Sequence, residues 1–71
     1  MLDVEEGTAY GVQVRTPRFG QLHWWTRFGW FLEEEDGLER AKRNLVAAQE
    51  EFPASETRIV KRSVSVVEVE T

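Results

Sequence analysis

The chain has 71 residues, no cysteine and a formal net charge of −4. A chain this short forms one domain that buries roughly 60% of its unfolded surface, so its core is only marginally sufficient. The missing cysteines exclude disulfides and thiolate metal sites, which makes self-association the most available supplement to the core. The whole negative excess lies in residues 33 to 52, with seven acids against three bases, and this disfavours a globally basic nucleic-acid binder.

The first residues, MLDVEEGTAYG, lack a basic region followed by an apolar run, so no signal peptide is expected. The longest apolar runs are too short to cross a bilayer. The sequence therefore predicts a cytoplasmic protein with no membrane partner.

Residues 1 to 7 are predicted to be a flexible acidic leader to a single domain spanning residues 8 to 71. Residues 8 to 16, TAYGVQVRT, alternate in the manner of a strand. Pro17 is expected to end this strand, and Gly20 suits a positive φ in the turn that follows. Residues 21 to 32 form the second predicted strand, so 8 to 32 is a predicted β-hairpin in which Gly29 marks a bulge or a close approach.

The second strand carries large apolar side chains on both of its phases. Trp24 and Trp30 share one phase, whereas Trp25 and Phe31 share the other. A half-buried strand is expected to be apolar on one side only. The second apolar side therefore predicts a surface that is covered by another copy, a partner or a flat ligand, although the sequence does not show which phase faces the rest of the domain.

Residues 34 to 52 are predicted to form the helix. Apolar residues recur there at intervals of three or four from Leu38 to Phe52. The acids from Glu33 to Asp36 favour the positive end of the helix dipole, and Pro53 ends the helix.

Residues 57 to 70 are β-branched and alternating, which predicts one long third strand. The apolar phase changes within it, because Val60 and Val66 fall on one side whereas Ile59 and Val69 fall on the other. Either a bulge shifts the register or the two ends of a long strand meet different neighbours.

The predicted fold is therefore α+β in the order β-β-α-β. It has a three-stranded, wholly antiparallel sheet in the order 2-1-3, with one helix packed on one face. The opposite face stays uncovered in a monomer and carries tryptophan, which favours sheet-to-sheet dimerisation.

No catalytic, cofactor or metal site is predicted. An imidazole can act as a general base near neutral pH, but His23 is interpreted as a strand residue that makes hydrogen bonds through its ring. The carboxylates of residues 33 to 36 are interpreted as helix-start charges rather than as an acid–base pair or a cation site.

The most informative set is aromatic and basic. His23, Trp25 and Arg27 share one phase, and Arg15 lies on the neighbouring strand. Indole and guanidinium groups can stack a planar base and hold a phosphate, but they are also typical of a core, a dimer interface or a protein-binding surface. The predicted binding or interface residues are Arg15, His23, Trp24, Trp25, Arg27, Trp30, Phe31, Arg58, Lys61 and Arg62.

The stretches YGVQVR, FLEEEDGLERAKRNL and FPASETRIVKRSVSVVEVE, with an aromatic strand after the first, resemble small uncharacterised accessory proteins of actinobacterial phages and prophages. The resemblance covers most of residues 8 to 71. It implies a viral, non-enzymatic accessory protein that acts by binding, for example as an inhibitor of a host defence protein. The Trp24–Trp25 pair and Trp30 depart from that group and suggest a specialised surface.

Three functions follow as hypotheses. The leading one is a homo-oligomeric accessory module that binds or inhibits a host protein in the host cytoplasm. The second is a sponge-like oligomer that stacks a nucleotide between tryptophan and arginine, which requires these groups to converge at a concave site. The third is a small enzyme that uses His23. Nucleic acid is not an expected partner.

Overall fold

The computed structural model describes residues 7–63 and 66–69. Strands β1 and β2 are followed by a 3₁₀ turn, helix α1 and strands β3 and β4. The strands form one antiparallel sheet in the order β2-β1-β3-β4, and α1 packs on one of its faces. The bounds are β1 Ala9–Arg18, β2 Gln21–Leu32, the 3₁₀ turn Glu33–Glu35, α1 Gly37–Glu51, β3 Glu56–Arg62 and β4 Val66–Val69.

The predicted α+β class, the single helix and the antiparallel order of the first three strands are confirmed. The prediction of three strands is wrong, because residues 57 to 70 do not form one long strand. The chain reverses after Arg62 and continues as β4, which pairs with β3 in an antiparallel hairpin, so that Ile59 lies opposite Val69. The reversal leaves the two apolar phases unchanged, because paired residues share a face, and Ile59 and Val69 both lie toward the helix. The other phase is apolar because Val60, which is also 1% exposed, is buried on the opposite face beside Gly11. The reversal was not predicted because KRSVSV contains no glycine, proline or asparagine to mark a turn.

Two element ends also differ from their predicted positions. Strand β1 continues through Pro17 to Arg18. Proline is tolerated there because the pairing of β3 with β1 ends at the Arg15–Glu56 pair, so that β1 has a free edge beyond this point. Helix α1 begins at Gly37 rather than at residue 34, because Asp36 adopts a left-handed conformation with φ 60° and separates the 3₁₀ turn from the helix. The predicted acidic leader lies largely outside the described residues.

The β1–β2 hairpin closes through a two-residue turn. Phe19 and Gly20 both have positive φ, at 53° and 79°, which is the type I′ geometry that matches the twist of the two strands. The predicted positive φ of Gly20 is confirmed. Phe19 is unexpected, because a bulky side chain is disfavoured in the left-handed region.

A bulge interrupts β2 where Gly29 predicted one. Gly11 pairs with Trp30 and the next residue, Val12, pairs with Arg27. Phe28 and Gly29 are therefore inserted, with φ of 74° and 77°. An insertion of two residues equals the side-chain period of a strand. The phases read from the sequence therefore hold on both sides of the bulge.

The core lies between α1 and the sheet. Val12 and Val14 of β1 are fully buried, and Ile59 of β3 is 1% exposed. They meet Ala41 and Ala48, whose small side chains let the helix approach the sheet closely. None of the helices in the described part of the chain is long and apolar enough to cross a membrane.

Candidate functional site

The strand register assigns each predicted site residue to one of the two sheet faces. The face toward α1 holds the core residues of β1 and β3. On the face away from α1, we call one group of residues the tryptophan–arginine face. It comprises Arg15 of β1, Trp24 and Trp30 of β2, and Arg58 and Arg62 of β3.

Trp24 lies at the centre of a cross-strand network on this face. The Arg58 guanidinium carbon is 4.0 Å from the Trp24 ring centroid, and that of Arg15 is 5.9 Å away. Arg58 Nε and Nη2 donate to Gln13 Oε1 at 2.9 and 2.7 Å, and Gln13 Nε2 donates to Thr26 Oγ1 at 3.2 Å. These bonds hold the Arg58 guanidinium over the indole before any partner arrives.

Trp30 forms the other end of the same face. Its ring covers Gly11, where a β-carbon would meet the ring atoms Cε3 and Cζ3 at 3.0 Å. The Arg62 guanidinium carbon lies 4.3 Å from the ring centroid. Because Gly11 has no side chain, the indole of Trp30 lies flat against the sheet, and Arg62 of β3 packs over it.

Carboxylates partly balance the arginines of this face. Arg15 Nη1 lies 3.2 Å from Glu56 Oε1, and Arg58 Nη1 lies 3.8 Å from Glu68 Oε1. Arg62 has no carboxylate within 4.0 Å among residues 7–63 and 66–69. Its guanidinium is therefore the one on this face that is most available to an anionic group of a partner.

The remaining predicted residues lie on the helix side of the sheet. Trp25 packs edge-to-face on Phe52 at the end of α1, with ring centroids 5.6 Å apart and an interplanar angle of 87°. The Trp25 Nε1 atom donates to Thr16 Oγ1 at 2.8 Å. Phe31 packs against the core, and Lys61 alternates to this side of β3. Trp25 and Phe31 are therefore the aromatic phase that faces the helix.

Arg27 also belongs to the helix side, where it connects β2 to α1. Its Nε and Nη2 atoms donate to the two carboxylate oxygens of Glu51, both at 3.1 Å. These hydrogen bonds, and secondly the Coulomb attraction of Glu51, raise the pKa of the Arg27 guanidinium above its ordinary value, against a smaller opposing effect of desolvation.

The structure therefore divides the predicted stacking set. His23, Trp25 and Arg27 do share a face, but Arg15 lies on the opposite one, with Trp24. Sequence reasoning missed the polar residues Gln13 and Thr26, which hold the network together. The alternation of Gln13 with Val12 and Val14 was a signal for its side of the strand, but not for Arg58, which lies 45 residues later in the chain.

A concave site lies at the tip of the β1–β2 hairpin. This hollow has a volume of about 630 Å³. We call it the tip hollow, and its main lining residues are Thr16, Arg18, Phe19, His23, Trp24 and Trp25. Among the described residues no group of three or more His, Asp or Glu side chains is placed to hold a metal ion.

No protein-family model matches this chain, and no curated protein and no solved structure matches it significantly. The molecule is thus defined by its own architecture, a four-stranded antiparallel sheet with one helix on one face and tryptophan and arginine on the other.

Proposed function

We propose that this chain is a non-enzymatic accessory protein, of the phage type it resembles, that binds and inhibits a host protein in the host cytoplasm through its tryptophan–arginine face. One observation carries the proposal: Trp24 and Trp30 lie on the sheet face away from the helix, each with an arginine over its ring. Tryptophan and arginine are the side chains most enriched among residues that dominate protein–protein binding energy.

The form of the surface favours a macromolecule over a small ligand. The face extends over three strands, and the hydrogen bonds of Gln13 hold its central arginine in place. A preorganised surface loses little side-chain entropy on binding. Arg62 supplies a guanidinium for a carboxylate of the partner, so the expected partner surface is acidic with an apolar centre.

The test compares two neighbouring charge reversals on β3. Arg62→Glu reverses the charge on the tryptophan–arginine face, whereas Lys61→Glu makes the same change on the helix side of the same strand. Truncating a dominant interface residue costs about 2 kcal/mol or more. Arg62→Glu is therefore expected to lower recovery of the cross-linked host partner at least about tenfold, while Lys61→Glu recovers it as the unaltered chain does. Equal recovery with both variants would reject this face as the binding surface.

Self-association is part of the same proposal, and the edge strand β2 supports it. Residues 21 to 26, QLHWWT, contain no lysine, arginine, acid or proline, which are the residues that usually protect a sheet edge. Native mass spectrometry is expected to show a multiple of the chain mass. Leu22→Lys, at a side chain that is 53% exposed, is expected to shift the population toward monomer. A monomer of the unaltered chain at micromolar concentration would contradict this part.

An enzymatic role for His23 has weaker support. His23 lies on β2 opposite Thr16, and among the described residues no carboxylate lies within 4.0 Å of its ring to orient it. His23→Gln is expected to keep the full inhibitory effect in cells, and a loss of that effect with unchanged partner binding would favour catalysis instead.

A further inference from the structure

We propose that the tip hollow binds a nucleoside phosphate, with the base against its aromatic wall and the phosphate on Arg18. The proposal concerns a site separate from Arg62 and Trp30, and it stands independently of the protein-binding function. Its starting point is that tryptophan, histidine and arginine converge at one concave place on the hairpin.

The shape of the tip hollow fits a ligand of this size. Its volume of about 630 Å³ falls within the range of roughly 300 to 1,000 Å³ that is usual for small-molecule sites. The hairpin tip projects beyond the sheet, because the pairing of β3 with β1 ends at the Arg15–Glu56 pair. The segment from Thr16 to His23 therefore has no strand beside it on the β3 side, and the hollow stays open for entry.

The aromatic wall is fixed from behind before a ligand binds. Trp25 is held by its hydrogen bond to Thr16 and by the ring of Phe52. Trp24 points to the opposite face of the sheet, where its ring lies against the guanidinium of Arg58, so the ring of Trp25 supplies this wall. A planar base that stacks on such a wall is recognised by its π-face, and each stacked base contributes substantially to affinity.

Phe19 is the residue that most needs an explanation. It occupies a left-handed turn position, with φ 53°, where asparagine or glycine is the usual choice. It is also 91% exposed, so its ring gains almost nothing from burial within the domain. A strained and exposed aromatic residue at the rim of a hollow is accounted for if its ring packs on a ligand.

The charge around the tip hollow selects an anionic ligand. Two of the three arginines of the hairpin are paired with carboxylates of other elements, Arg15 with Glu56 and Arg27 with Glu51, which leaves Arg18 at the hairpin tip. Arg18 has no carboxylate within 4.0 Å among the described residues, and its guanidinium carbon lies 5.5 Å from the Phe19 ring centroid. A base on the aromatic wall would therefore have a cation beside it for its phosphate.

The test is a fluorescence titration with ADP, adenosine and inorganic pyrophosphate, because the Trp25 ring lies at the hollow. ADP is expected to quench the tryptophan emission saturably, and adenosine and pyrophosphate are each expected to bind at least tenfold more weakly. Equal binding of pyrophosphate would show a general anion site and overturn the proposal, as would the absence of saturable quenching by ADP.

Three variants locate the binding. Phe19→Asn keeps a residue suited to the turn but removes the ring, and it is expected to weaken ADP binding at least fivefold. Arg18→Gln is expected to weaken the binding of ADP but not the binding of adenosine. Phe28→Asn is the matched control, because Phe28 is also an aromatic residue with positive φ but lies in the bulge rather than at the hollow. The Phe28→Asn variant is expected to bind ADP as the unaltered chain does. ADP binding that survives Phe19→Asn would place the ligand elsewhere and reject the tip hollow.

The result is separable from that of the protein-binding proposal. Arg62→Glu is expected to leave ADP titrations unchanged, and Phe19→Asn is expected to leave recovery of the host partner unchanged. If Arg62→Glu weakens ADP binding, the tip hollow has been wrongly assigned. If Phe19→Asn lowers recovery of the host partner, the tryptophan–arginine face has been wrongly assigned.

Discussion

At the scale of single residues, backbone conformation explains choices that burial alone does not. Gly37 is buried at the first position of α1, and a β-carbon there would meet the carbonyl oxygens of Phe31 and Leu32. The residue is therefore glycine because the helix start packs directly on the backbone at the end of β2. Phe19 shows the opposite situation, since its backbone position suits a smaller residue and its side chain lies in solvent.

Gly37→Ala is expected to destabilise the fold by about 1 to 3 kcal/mol, the usual cost of overpacking, because rigid backbone atoms must move to admit the methyl group. The midpoint of urea unfolding measures it. Gly7→Ala serves as the control, because a β-carbon at Gly7 has nothing within 4 Å. Equal midpoints for the two variants would show that the start of α1 does not pack directly on the backbone of Phe31 and Leu32.

Phe19→Asn is expected to stabilise the hairpin by roughly 1 kcal/mol, the lower end of the cost of holding an unsuited residue in a rare backbone region. Asparagine followed by glycine is a favoured type I′ pair. Phe19→Ala removes the same ring, but alanine lacks the preference of asparagine for this turn, so Phe19→Ala is expected to stabilise the hairpin less. Thermal unfolding of both variants measures the difference, and a loss of stability with Asn would mean that the Phe19 ring supports the fold.

At the scale of elements, the helix joins the sheet through its C-terminal end as well as through its buried stripe. Trp25 of β2 contacts Phe52, the residue that follows α1, and Arg27 of the same strand forms two hydrogen bonds to Glu51. The two contacts lie on one side of β2. Trp25→Ala is therefore expected to loosen the packing of the helix end on the sheet.

A double-mutant cycle tests that contact. Trp25→Ala and Phe52→Ala are expected to couple by about 0.5 to 1.5 kcal/mol, the usual value for an edge-to-face aromatic pair. Trp24 provides the matched control, because it is the neighbouring tryptophan but points to the other face of the sheet. A Trp24→Ala and Phe52→Ala cycle should give a coupling near zero, and equal couplings in the two cycles would contradict the assignment of faces.

At the scale of the whole molecule, the charge is distributed unevenly along the long axis of the β1–β2 hairpin. Residues 7 to 32 contain no acid, whereas Glu33 to Asp36 follow directly at the end of β2 opposite the turn. Glu56 and Glu51 balance Arg15 and Arg27, so the unbalanced positive charge of the hairpin lies at its tip, on Arg18. A ligand that approaches the hairpin tip meets the charge of Arg18, which favours anionic groups.

Hydrogen exchange is expected to reflect the central place of β1. Val12 and Val14 are fully buried in a strand that is paired on both sides, so their amides should exchange only through global unfolding. Val69, in the short edge strand β4, should exchange faster through local opening. NMR exchange rates, set against the unfolding free energy from urea, measure this, and a Val14 amide that exchanges as fast as that of Val69 would contradict it.

Much of the local structure could be predicted because it depends on neighbouring residues. The turn glycine and the bulge at Gly29 both follow from the backbone preferences of glycine. The end of β3 could not be predicted in this way, because serine and valine alone do not mark the reversal that begins β4. The network around Trp24 was equally inaccessible, since Arg58 reaches it from a strand that is distant in the chain.

The sequence by itself determined that β2 is apolar on both phases, that the hairpin is cationic and that the acids are concentrated in and beside the helix. Only the tertiary structure decided that Trp25 and Phe31 face the helix while Trp24 and Trp30 face outward. The physical reason is that alternation is a local property of a strand and is the same for either orientation. Which side becomes buried depends on where the helix packs, and both sides of β2 carry enough apolar surface to accept it.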